Sequence, residues 1–146
     1  MDNTEAKRLS ELIQKKIQLV ENLLAYARQQ SQMSYMDSPE KYDNLIETRA
    51  IAIEQIKKQD IVLQRSLSAD KVMDGDIQAQ LNEANLRITD LMKQIAALDQ
   101  KSKAVVTGEM QMVKNKLLAL QKGKRGVKHY GERTVYSSGA FTDSKR

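Results

Sequence analysis

Between Met1 and Lys122 the chain carries a single proline, Pro39, and only two glycines, Gly75 and Gly108. A stretch so poor in helix-interrupting residues is suited to long helices. The other four glycines, Gly123, Gly126, Gly131 and Gly139, crowd into the last 24 residues. The helical part is therefore expected to end at Gly123, with Lys122 in its last turn. Aromatic residues make up 4% of the chain, with one Phe and no Trp. A compact globule usually anchors its core on large rings. Leu, Ile, Val, Met and Ala pack instead in narrow layers between helices, so a thin bundle suits this composition better than a sandwich or barrel.

The apolar spacing divides the helical part into three. From about Asp2 to Met33, Leu9, Ile13, Ile17, Val20, Leu24 and Ala27 recur at alternating spacings of three and four, which places them on one helical face. Leu12, Leu19 and Leu23 widen that stripe. Such a helix would be roughly 45 Å long, right for a bundle. Ser38 followed by Pro39 reads as an N-cap and a first-turn proline, with Glu40 near the positive helix end. The second helix carries Tyr42, Leu45, Ile46, Ala52, Ile53, Ile56, Leu63 and Leu67. Arg49 and Asp60 interrupt its stripe and are expected at the edge, with their charged ends in water. The segment from Asp70 to Asp76, with Gly75 inside, closes this helix and opens the third.

The third helix has the clearest pattern. Ile77, Leu81, Ala84, Ile88, Leu91, Ile95 and Leu98 follow a strict 4-3-4-3 spacing of a and d positions. That register then meets Ser102, Glu109 and Lys116 and turns polar. A second one takes over at Val106, Met110, Val113, Leu117 and Leu120, displaced by one residue and so presenting a rotated face. Gly108 falls at the transition. Met110 and Met112 lie in the rotated part, and methionine is over-used on surfaces that adapt to partners. An apolar stripe there is suited to receive an amphipathic helix from another protein.

Charge is distributed unevenly. The net charge of +5 comes from residues 122–146, where Lys122, Lys124, Arg125, Lys128, Arg133, Lys145 and Arg146 face only Glu132 and Asp143; the preceding residues balance. This basic tail also holds three of the six aromatics, Tyr130, Tyr136 and Phe141, which a purely solubilising terminus has little use for. Basic residues confined to a tail do not make the structured basic face of a nucleic-acid binder, so nucleic acid is not an expected partner. The chain has no cysteine and one histidine, His129, so no disulfide, no metal-ligand spacing and no metal or other cofactor is expected. Gly123-Lys124-Arg125-Gly126 follows a helix, where a phosphate loop would precede one. No converging pair of catalytic groups can be read, and an enzyme is not expected. No signal peptide and no membrane-spanning run is apparent, which makes a soluble cytoplasmic protein the simplest reading.

Particular residues carry a family likeness. The run Glu47-Thr48-Arg49-Ala50-Ile51-Ala52-Ile53-Glu54-Gln55-Ile56-Lys57-Lys58-Gln59-Asp60 resembles the second-helix pattern of flagellar type III export chaperones. Leu98-Asp99, and Leu117-Leu118-Ala119-Leu120-Gln121-Lys122-Gly123-Lys124 leading to Tyr130, resemble the C-terminal part of the FliT-like members, as does the ending from Gly139 to Arg146. Tyr130-Gly131 also suits the FlgN-like branch, which shares the helical layout. The resemblance implies a cytoplasmic, all-helical chaperone. It would bind the C-terminal helical segment of an axial flagellar protein, block premature assembly and pass the client to the export machinery. The client would be the filament cap in the FliT-like branch and a hook–filament junction protein in the FlgN-like branch. Carried onto this chain, the region that regulates client access in the FliT-like branch falls between Lys103 and Tyr130.

The expected architecture is all-α: an antiparallel, coiled-coil-like bundle of three long helices over residues 1–123, followed by a basic, irregular tail over 124–146. The expected client-binding residues are Val106, Met110, Val113, Leu117, Leu120 and Tyr130, flanked by Lys124, Arg125 and Lys128. Two readings from other classes stand beside the chaperone. One is a structural coiled-coil protein that homodimerises along its seams. The other is a regulator whose basic tail binds a transcription factor or DNA.

Overall fold

The computed structural model describes residues 3–69 and 75–131. These form three helices, α1 (Asn3–Ser31), α2 (Pro39–Ala69) and α3 (Gly75–Gly131), and no strand occurs among the described residues. The helical-bundle expectation holds. Packing divides the chain into two compact units, Met1–Val105 and Val106–Arg146.

α2 begins where the sequence places it. Its first hydrogen bond runs from the Tyr42 amide to the Ser38 carbonyl at 3.0 Å, and Pro39 occupies the first helical position, where a missing N–H costs nothing. The last turn of α1 tightens as the Gln32 and Met33 amides donate to the carbonyls of Gln29 and Gln30, satisfying acceptors that a helix end leaves open. Between the two helices Tyr35 meets Tyr42 edge to face, with centroids 5.4 Å apart.

The first unit packs around two apolar clusters. One joins Leu9 and Ile13 of α1 with Leu63 of α2 and Ile77 and Ala84 of α3. The other joins Val20, Leu23, Leu24 and Ala27 with Ala52, Leu91 and Ile95. Polar contacts run the same way. Gln59 Nε2 donates to the Leu12 carbonyl, Lys16 pairs with Asp60 at 2.6 Å, and Gln30 reaches Tyr42. Leu12 and Lys16 thus meet Gln59 and Asp60, whereas Gln30, at the end of α1, meets Tyr42 near the start of α2. Ser10 reaches Gln80, and Glu21 pairs with Arg87, so partner numbers in α3 rise with those in α1.

Within α2 the buried line differs from the expected stripe. Ile46 and Ile53 are exposed, whereas Leu45 and Ala52, one position earlier, are buried. Adjacent residues point about 100° apart, and in both pairs it is the first member that faces the core. The inward line is Tyr42, Leu45, Arg49, Ala52, Ile56, Gln59 and Leu63, a heptad with two polar members. Arg49 therefore sits in the seam, not at its edge with its charge in water. Its guanidinium grips Asp99 of α3 through two bonds of 2.7 and 3.1 Å and donates to Gln30 Oε1 of α1 at 2.6 Å. Gln30 in turn donates to the Tyr42 hydroxyl at 3.0 Å. The carboxylate satisfies the planar fork of the guanidinium, which makes burial of the charge tolerable. Asp60 is half-buried and paired with Lys16, so it too is not simply solvated.

In α3 the Ile77–Leu98 heptads supply the third side of this core, and Ile77, Ala84, Leu91 and Ile95 are buried. The line continues one step further than its apolar members, to Ser102. This residue is buried, and its Oγ has no hydrogen-bond partner among the described residues. α3 runs to Gly131, eight residues past the end expected at Gly123. An interior glycine costs a helix about 1 kcal/mol. The Lys and Arg residues between these glycines are good helix formers and favour a helix C-terminus, which opposes that cost. The stretch 124–131 is therefore helical rather than irregular, and residues 132–146 lie outside the described residues.

Candidate functional site

The expected client-binding stripe lies within the second unit, on α3 itself. Taking Val106 as the reference and about 100° per residue, Val106, Met110, Val113, Leu117 and Leu120 fall within about 40° of one line. The spacing that makes them a seam is the same 4-3-4-3 alternation that buries Ile77 and Leu91. Here the outcome is the reverse. Val106 is half-buried, and the four residues beyond it are exposed: Met110 by 67% and Leu120 by 66%, against 2% for Ile77 and 1% for Leu91. Five apolar side chains are thus lined up with at most the first of them partly covered.

Three more apolar side chains in this region are exposed: Val105, Met112 and Leu118. Val105 and Met112 continue the Ile77-Ala84-Leu91-Leu98 positions at seven-residue spacing, on the other register, whereas Leu118 lies off both lines. Across the helix Gln111 Nε2 donates to Asn115 Oδ1 at 3.1 Å, one turn apart. That side presents polar groups already satisfied locally.

Apart from Glu109, about 60° from the axis between Val106 and Met110, the charges around the stripe are of one sign. Lys114 and Lys116 are exposed and fall about 80° to either side of the stripe's axis. Lys124 falls on the axis itself, beyond Leu120. From Met110 to Gly131 the sequence has six Lys or Arg and no Asp or Glu; Glu109 stands just before it. Lys124 is described in the structure, whereas the side chains of Arg125, Lys128 and Tyr130 lie outside the described residues, as does the rest of the tail.

A cleft lies in the first unit. Ile13, Lys16, Leu63, Leu67, Leu81 and Ile88 are among the residues lining a cleft of about 260 Å³. Among the described residues on its wall Lys16 is the one titratable group, and its ammonium is already engaged by Asp60. The described wall is mostly apolar side chains and amides, the makings of a packing gap between helices. Among the described residues no group of three or more His, Cys, Asp or Glu could hold a metal ion. No helix among them is long and apolar enough to cross a membrane. No family model, curated protein or solved structure matches this chain.

Proposed function

We propose that this protein is a cytoplasmic export chaperone that shelters the C-terminal helical segment of an axial flagellar protein, the filament cap or a hook–filament junction protein. The client would be held against the distal part of α3 until it passes to the export machinery. The observation that carries this reading is the exposure of Met110, Val113, Leu117 and Leu120 in one line. An amphipathic client helix laid along that line would bury its own assembly-prone face and theirs together. Each fully buried Leu or Met would contribute about 1.5–3 kcal/mol to such a complex before the entropic cost of docking. The likeness of Glu47–Asp60 and Leu117–Lys124 to flagellar export chaperones supports the choice of client class. Tyr130, with Lys124, Arg125 and Lys128, would flank the docked segment.

The test is a calorimetric titration of the full chain with C-terminal segments of the cap and junction proteins. Val113→Asp combined with Leu117→Asp is expected to abolish the binding of the recognised segment while leaving helix content unchanged by circular dichroism. Unaltered binding would remove this face as the docking site.

The same line of exposed apolar residues also suits a homodimeric coiled coil, the structural alternative. Sedimentation separates the two. A stable dimer that gains no mass with any client segment favours the scaffold.

A further inference from the structure

The charges beside the stripe specify what kind of helix can lie on it. We infer that the occupant of the distal α3 face is an amphipathic helix whose apolar stripe is bordered by acidic residues, selected by Lys114 and Lys116. This inference rests on the reading of that face as a client-docking site and names the chemistry of the client.

In a pair of helices meeting along an a/d seam, the positions next to the seam face one another and decide which partners are accepted. Those positions here include Lys114 on one side and Glu109 and Lys116 on the other, with both lysines exposed and Lys124 extending the axis. A partner helix whose stripe is bordered by Glu or Asp places a carboxylate near an ammonium on both borders. One bordered by Lys or Arg meets like charge on both, and like-charge juxtaposition is the usual means of rejecting a wrong partner.

The same accounting disfavours other occupants. A second copy of this chain would bring its own acid-free Met110–Gly131 segment against the first; Glu109 facing Lys114 would be the one favourable border pair. Residues 132–146 of the chain itself, with Arg133, Lys145 and Arg146 against Glu132 and Asp143, are not acidic either. An anionic lipid surface would satisfy the lysines. Interfacial helices, however, present a broad apolar face with Trp or Phe. Here the aligned stripe spans only about 80°, and no aromatic residue occurs from Val106 to Lys124.

The experiment uses the full chain and two designed helical peptides with identical Leu and Ile seams, one bordered by Glu and the other by Lys. Calorimetry at low salt is expected to show the Glu-bordered peptide binding at least about tenfold more tightly, with the gap narrowing as salt is raised. Lys114→Glu combined with Lys116→Glu, with helix content unchanged, is expected to reverse the order. Equal affinity for the two peptides overturns the acidic-partner inference and leaves apolar client docking standing. If neither peptide binds, the inference falls. If the flagellar segments are silent as well, the docking reading falls with it. Two further results also overturn the inference. One is binding to phosphatidylserine-containing vesicles with no preference between the peptides. The other is a dimer, seen by sedimentation, that excludes both peptides.

Discussion

The two stretches of α3 on either side of Val105 carry the same repeat and meet opposite fates. Ile77 to Leu98 alternate by four and three and line a core closed by Leu9, Ile13, Val20 and Leu24 of α1 and Ala52 and Leu63 of α2. Val106 to Leu120 alternate in the same way, and beyond Val106 every member is exposed. A heptad states which side of a helix is apolar. It does not state that anything covers that side. The difference lies in the neighbours, because α1 and α2 supply their apolar positions to the first stretch.

The comparison can be strained at several points. Leu91→Ala removes a fully buried side chain and is expected to cost about 3 kcal/mol in urea unfolding. A cost below about 1 kcal/mol would mean that the core around Leu91 is looser than described. Arg49→Met strips Asp99 and Gln30 of their partner. Because Asp99 is nearly half exposed, the expected loss is smaller, about 1–2 kcal/mol. In a double-mutant cycle with Asp99→Leu the two losses should fall short of additivity, since both remove one contact. Gly108→Ala acts on the exposed stretch through the backbone alone. Nothing lies within 4 Å of the added Cβ, and helix stability is expected to rise by about 0.5–1 kcal/mol, read as increased helicity on heating. Leu117→Ala, the distal counterpart of the first substitution, should change unfolding by no more than about 0.5 kcal/mol. A larger loss would show that a neighbour covers Leu117 after all.

Much of this was legible in the sequence. The start of α2 was marked by Ser38-Pro39, the burial of α1 by its three-and-four spacing, and the displaced stripe of α3 by the shift from Leu98 to Val106. What escaped reading was long-range. Arg49 and Asp99 are fifty residues apart, and whether a charge in a stripe faces water or a counter-charge depends on which residue of another helix stands opposite. The choice between Leu45 and Ile46, or Ala52 and Ile53, failed for the same reason. Propensity ranks neighbours almost equally, and the docking angle of the helix decides between them. The end of α3 was misplaced because a glycine was taken as a stop, although it only lowers helix stability. Of the site, the line of five residues and Met112 were visible beforehand, whereas the exposure of Leu118 was not.

The Arg49 cluster has a bearing on how the bundle keeps its alignment. Seams of Leu, Ile and Ala repeat every seven residues, and greasy repeats tolerate sliding by a turn or a heptad because each notch looks like the last. A guanidinium held at once by α1 and α3 breaks that monotony. Sliding any one helix by a single turn, about 5.4 Å, would pull it from at least one of its acceptors. Such a polar lock among interchangeable apolar contacts makes one alignment distinguishable from the others.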